Sequence, residues 1–211
     1  MTAGSSVNKS KGRFSLKMRI VVGISGATGA IYGVRLLEAL KERKIETHLI
    51  VSSTAKRILL EETPHSIEKV ERLASCVYDN DDLGASVSSG SFRTDGMIVI
   101  PCSIKTLSGV AHSYNESLLT RAADVTLKER RRLVLVVRET PLHQGHLELM
   151  LQASRIGAIL FPPMPAFYFK PRTIDDLINH TIGKVLDLFG IDHDLFVRWG
   201  SPGMKKTRAR E

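Results

Sequence analysis

Five short runs of this chain are built around consecutive apolar residues, and stretches of helical periodicity separate them. The runs are Arg19–Ile24, Glu46–Ser52, Met97–Pro101, Leu133–Val137 and Ala158–Phe161. Strands that are apolar without alternation are buried on both faces, the condition of a parallel sheet covered by helices on each side. The helices are read over Ile31–Arg43, Thr54–Glu62, Ile67–Ala74, the segment from Cys102–Thr106 to about His112, Glu116–Arg131, His146–Ser154 and Ile174–Phe189. Ile31, Val34, Leu36, Leu37 and Leu40 mark the buried face of the first. The pattern predicts a doubly wound α/β fold, whose ligands sit at the carboxyl ends of the strands.

The chain has 211 residues, 43% of them hydrophobic, which suits one packed domain. That domain is read as 19–200, between a basic leader, 1–18, and a basic tail, 201–211. The leader is open to three readings: a disordered extension, sequence upstream of a natural start at Met18, or a weak organelle transit peptide. No apolar run approaches the roughly 18–20 residues of a membrane span. The net charge of +8 lies entirely outside residues 20–200, which hold equal numbers of acidic and basic side chains. A folded face with no excess positive charge argues against a nucleic-acid partner. Cys76 and Cys102 form no CxxC or CxxH cluster, so neither a disulfide framework nor a structural zinc site is indicated, and a reducing, cytoplasmic setting is expected. A transit peptide would make that setting mitochondrial.

The loop after the first strand, Gly23-Ile-Ser-Gly26-Ala-Thr28-Gly29, opens a helix, where free N–H groups suit an anion. Its spacing is not GxGxxG, and the second strand ends in Val51-Ser52-Ser53 with no acid for an adenosine ribose. Thr28, Ser52 and Ser53 suit a mononucleotide phosphate better, although the same glycines serve equally in a tight turn. Ser103 and Thr106 follow the Met97–Pro101 strand, where Ser103 is also placed to cap its helix. The polar stretch Ala85–Phe92 is a candidate to close over such a site.

Arg121 and Lys128 emerge on one helix face, able to share an anion or to form an ion-pair ladder with Asp124. Arg138-Glu139 puts a charged pair at the carboxyl end of a strand, and Tyr168, in a proline-framed segment, is placed to wall a planar ligand or to pack in the core. His143, His146 and Glu148 lack the spacing of a metal site, and read as capping or surface residues. Trp199 reads as a packing or subunit-contact residue.

Taken together, Gly26–Ala30, the SSGSF run Ser88–Phe92, Pro101–Leu107, Arg121–Arg131, Val137–Pro141, Ala166–Tyr168 and Arg198-Trp199 resemble the flavin prenyltransferases, over residues 18 to 200. The resemblance implies a flavodoxin-like (Rossmann-type) three-layer α/β sandwich with a mostly parallel sheet, assembled as a homododecamer. It implies transfer of a dimethylallyl group from dimethylallyl monophosphate to N5 and C6 of reduced FMN without a metal. The prenylated FMN then serves a partner decarboxylase of ubiquinone or aromatic-acid metabolism. By the same resemblance Gly26, Ala27, Thr28, Ser52, Ser103, Ile104, Lys105, Thr106 and Arg138 hold FMN. Arg121, Lys128, Glu139, Tyr168 and Lys184 hold the prenyl phosphate or assist its departure, and Glu62 is a further acid of the site. Thr28 keeps the hydroxyl of the family's usual serine, while Lys184 replaces its usual arginine, a point charge for a bidentate fork. Two alternatives are an FMN-dependent cysteine decarboxylase and a non-catalytic flavin carrier. The first needs a base, typically histidine, near the first helix, where Ala30-Ile31-Tyr32-Gly33 offers none; the second leaves Arg121, Lys128 and Lys184 without a task.

Overall fold

A computed structural model describes residues 18–200. The leader up to residue 17 and the tail from 201 lie outside the described residues. Strand β1 (Arg19–Ile24) leads into α1 (Ala30–Glu42), then β2 (Glu46–Val51), α2 (Ser53–Glu62), α3 (Ile67–Glu71) and β3 (Cys76–Tyr78). A short 3-10 turn at Ser86–Ser88 precedes β4 (Gly96–Cys102), followed by α4 (Ile104–Ala111), α5 (Leu118–Lys128), β5 (Arg132–Val137), α6 (Gln144–Arg155), β6 (Ile159–Leu160) and α7 (Ile174–Leu188).

The six strands form one sheet in the order β3-β2-β1-β4-β5-β6, and every pairing is parallel. That is the Rossmann order; without the three-residue edge strand β3, the remaining five follow the flavodoxin order. The expected doubly wound fold is therefore present, with one strand more than the sequence revealed. β3 escapes the periodicity reading because it is an edge strand of three residues whose middle one, Val77, is exposed.

Residues alternate across each strand, and both faces are covered. Ile20, Val22, Ile98, Ile100, Val134 and Val136 pack with α1 and α7 on one face. Val21, Met97, Val99, Leu133, Leu135 and Val137 pack with α4, α5 and α6 on the other. Each wholly buried Leu or Ile contributes roughly 1.5–3 kcal/mol, so this double burial is what the unbroken apolar runs encode. Gly33 lets α1 approach the sheet: a Cβ there would lie 2.8 Å from the Ile100 carbonyl oxygen.

Several boundaries differ from expectation for identifiable reasons. The helix expected over Glu116–Arg131 begins only after Ser117, which forms a reciprocal capping box with Thr120, and ends at Lys128, before the left-handed Arg130 (φ 57°). The Ala158–Phe161 strand pairs only at Ile159 and Leu160. The β4–β5 ladder shifts register between Val99 and Cys102, where Pro101 has no N–H to give.

Candidate active site

Strand order reverses between β1 and β4, and there the loops leaving the two strands are tied together by Ser25. Its hydroxyl donates to the Pro101 carbonyl at 2.9 Å and accepts from the Ser103 N–H at 2.8 Å, with the residue 2% exposed. The Gly26 turn packs against the start of α2 so closely that a Cβ would stand 2.6 Å from Thr54 Cγ2. Below these turns opens a cleft of about 1030 Å³.

Of the residues singled out from the sequence, Gly26, Ser52, Ser53, Ser103, Ile104, Lys105, Thr106 and Glu139 line this cleft. Ser52 caps α2, accepting from Ala55 N at 3.2 Å, and Ser103 caps α4, accepting from Thr106 N at 3.3 Å while donating to Thr106 Oγ1 at 3.1 Å. Capping and cleft-lining thus coincide in the same two serines. The first N–H groups of a helix have no partner within it, and those left uncapped at Ser53 and Thr54 on α2 and at Ile104 and Lys105 on α4 belong to residues that line the cleft. The cleft therefore has a cationic rim made of peptide dipoles.

The first turn of α1 is different, because it already holds an anion. Glu62, at the end of α2, places one carboxylate oxygen 2.8 Å from Gly29 N and 3.1 Å from Ala30 N. Partial burial pushes its carboxyl upward, but hydrogen bonds from the Thr28 hydroxyl and from Gly29 and Ala30, with the charge of Arg138, outweigh this and hold it below the usual range. Thr28, Glu62 and Arg138 are thereby brought into one group; Thr28 and Arg138 stand close in sequence to Gly26 and Glu139, but none of the three is among the residues lining the cleft. Arg138 follows β5, its N–H donating to the Cys102 carbonyl at 3.0 Å, and its charge also acts on Tyr32, whose phenol burial pushes upward. Glu139 turns its carboxylate to the N–H of Thr140 at 3.0 Å.

The remaining predicted side chains form two separate groups. Arg121 pairs with Asp124 at 3.3 Å, as the ladder reading has it, and also donates to the Ser88 carbonyl at 3.2 Å. Lys128, in contrast, pairs with Glu129 instead of Asp124. Arg131 donates to the carbonyls of Gly90 and Phe92, both at 2.7 Å. The Ala85–Phe92 stretch is therefore pinned to α5 and to the turn between α5 and β5, and does not line the cleft; Asn80 and Asp81 line it instead.

The second group surrounds Tyr168, whose hydroxyl lies 3.0 Å from His180 Nε2. Trp199, 75% exposed, meets the Tyr168 ring edge-on at 5.5 Å. Lys184 lies 3.6 Å from Asp187, which also receives both terminal nitrogens of Arg198, at 2.6 and 2.9 Å, and His193 at 3.1 Å. The Arg198 hydrogen bonds outweigh burial and, with the Arg198 charge and His193, hold the Asp187 carboxyl at about 2. Neither group lines the cleft of its own chain. His143 caps α6, accepting from Gly145 N at 3.1 Å, and no set of three metal-ligating side chains converges among the described residues.

Sequence reasoning missed Ser25 as the tie between the two loops, and His180 and Asp187 as the partners of Tyr168 and Lys184. Ser25 had a signal in its position directly after the first strand. The other two follow a helical face and read as ordinary amphipathic positions.

A family model described as Flavoprotein matches residues 8–183. The chain is 62% identical to the flavin prenyltransferase UbiX of Thauera aromatica over 182 residues, 86% of this chain and 94% of that one. Its structure is similar to the crystal structure of AnUbiX (PadA1) in complex with FMN and dimethylallyl pyrophosphate, with a TM-score of 0.86 and 51% identity over 87% of this chain and 97% of that one. It is also similar to a dodecameric FMN-dependent UbiX-like decarboxylase from Escherichia coli O157:H7, with a TM-score of 0.85 and 54% identity over 86% and 99% of the two chains. No helix among the described residues is long and apolar enough to cross a membrane.

Proposed function

The chain belongs to the flavoprotein family and, within it, to the flavin prenyltransferases, and from that premise we propose that it joins a dimethylallyl group from dimethylallyl monophosphate to N5 and C6 of reduced FMN. The observation that carries the reading is the 62% identity with a flavin prenyltransferase across nearly its whole length. The product is the cofactor of a separate decarboxylase, and we place the reaction in the cytoplasm, where two unpaired cysteines are at home.

The residues of the cleft fit a flavin mononucleotide. A volume of about 1030 Å³ lies just above the roughly 300–1,000 Å³ of ligand pockets, and the N–H groups that the Ser52 and Ser103 caps leave free at the starts of α2 and α4 suit a phosphate dianion. We assign Gly26, Ala27, Thr28, Ser52, Ser103, Ile104, Lys105, Thr106 and Arg138 to holding it. Reduced FMN supplies the nucleophilic nitrogen when bound; the chain must position it and receive a departing phosphate.

Departure of an allylic phosphate requires cations around the leaving oxygen and a source of protons. Lys184 and Tyr168 are assigned to the phosphate, and Glu139, at the cleft wall, to proton handling, with Glu62 as a further acid. Arg121, Lys128, Tyr168 and Lys184 all stand off the cleft of their own chain. We infer that in a dodecamer, the state of the Escherichia coli relative, they serve the cleft of a neighbouring copy. Fixed side-chain cations then neutralise the phosphate in place of a metal.

Anaerobic incubation with reduced FMN and dimethylallyl monophosphate should yield a flavin heavier by one C5H8 unit. Unchanged flavin from folded protein refutes the transferase reading.

A further inference from the structure

His180 is 9% exposed and sits on α7 in a box of rings. Phe169 stacks on it at 5.0 Å with an interplanar angle of 6°, Phe196 packs at 4.6 Å, and Tyr168 meets it edge-on at 5.6 Å. The ring plane is thus fixed from three sides, and its Nε2 points at the Tyr168 hydroxyl, 3.0 Å away. The charged groups around it are Lys184 and Asp187 on its own helix, with Asp187 already engaged by Arg198 and His193. Burial, and secondarily the Lys184 charge, lower the His180 pKa against the opposing pull of Asp187, so the ring carries a single proton near neutrality.

A phenol has one proton to give and a neutral imidazole has one. If Tyr168 spends its proton on His180 Nε2, it has none for a phosphate oxygen; if Nε2–H donates to Tyr168 Oη, the phenol proton is free to point outward. We propose that His180 is a positioning residue that makes Tyr168 a donor to the prenyl phosphate, by presenting Nε2–H to the phenolic oxygen while Phe169 and Phe196 hold its ring. The proposal rests on the assignment of Tyr168 to the substrate phosphate. No bond is made or broken; the ring selects which of two tautomers the pair adopts when the phosphate is present, and so acts on substrate affinity.

Four variants, two at His180, Tyr168→Phe and the double variant, separate this from a packing role. His180→Leu keeps the bulk and removes the hydrogen bond; His180→Gln keeps an amide N–H that reaches the same oxygen. His180→Leu should raise KM for dimethylallyl monophosphate about five- to tenfold, with FMN affinity unchanged, and His180→Gln should restore most of the loss. In a Tyr168→Phe background the leucine substitution should add nothing, because its route of action is already gone. Equal losses in the Leu and Gln variants, or an undiminished effect of Leu in the Tyr168→Phe background, overturn the proposal. If Tyr168→Phe raises KM and His180→Leu does not, the proposal falls while the Tyr168 assignment stands; if Tyr168→Phe itself leaves KM unchanged, that assignment falls. Should the leucine variant fail to fold, His180→Met provides the same comparison with a side chain that adapts to the ring box.

Discussion

Replacing Ser25 by alanine removes a single oxygen, and the structure shows which partner is left without a bond. The Pro101 carbonyl loses the hydroxyl at 2.9 Å but keeps the Ser25 backbone N–H at 3.2 Å. The Ser103 N–H loses the only acceptor it has among the described residues, at 2.8 Å. The cost is therefore that of one orphaned donor, about 1–3 kcal/mol, and not that of two hydrogen bonds. Ser103 is only partly buried, which lets solvent recover part of it and puts the expected value at about 1–2 kcal/mol. For a domain of this size each kcal/mol moves the midpoint by roughly 2–4 °C, so Ser25→Ala should melt about 2–8 °C lower. The measurement is a thermal melt followed by circular dichroism, at one protein concentration because assembly makes the midpoint concentration-dependent. FMN affinity should fall with it, since Ser103 caps the helix that borders the cleft. A midpoint within a degree of the parent, with unchanged FMN affinity, would show that Ser25 does not hold the two loops together.

Gly26→Ala puts a methyl 2.6 Å from Thr54 Cγ2, so the turn must move off α2, and FMN affinity measured by flavin fluorescence should fall at least tenfold; parental affinity contradicts the packing described. Lys184→Arg gives the phosphate a bidentate fork and should lower KM for dimethylallyl monophosphate several-fold, whereas an unchanged KM separates Lys184 from the phosphate. Lys128→Ala and Glu139→Gln should each retain FMN and lose turnover, and full activity in both means their roles are misassigned. Because the folded Asp187 carboxyl titrates at about 2 against an ordinary 3.8, its stabilising contribution is whole above about pH 4 and is lost as pH falls toward 2. Asp187→Asn should therefore cost stability near neutrality and show a shallower loss across that acid window; an acid melting profile identical to the parent's counts against the Arg198 clamp.

The sheet was legible because burial on both faces leaves unbroken apolar runs at β1, β4 and β5, and the cleft because hydroxyl-rich loops follow three strands on one edge. Ser52 and Ser103 announced themselves as caps, and the same geometry places them at the cleft. Distance between elements could not be read. Arg121 and Lys128 share a helix face, and the pairing of Arg121 with Asp124 follows from its i,i+3 spacing, but Ser88 and Glu129 also claim them, one brought by folding and the other a neighbour one residue away that spacing rules do not rank. Nor does any local pattern tell that Glu62, 33 residues after Gly29, fills the turn where an external anion was expected. β3 was invisible for the reason that makes it an edge: it is short and half solvated.

The grip of Glu62 on the start of α1 also has a mechanical meaning. It joins the last residue of α2 back to the turn after β1, so that β1, α1, β2 and α2 form a closed circuit instead of an open succession. In such a circuit a displacement at one point is carried round from both directions. The outer end of α2, where Leu60 stands 58% exposed, is thus mechanically coupled through Glu62 to the Gly26–Gly29 turn.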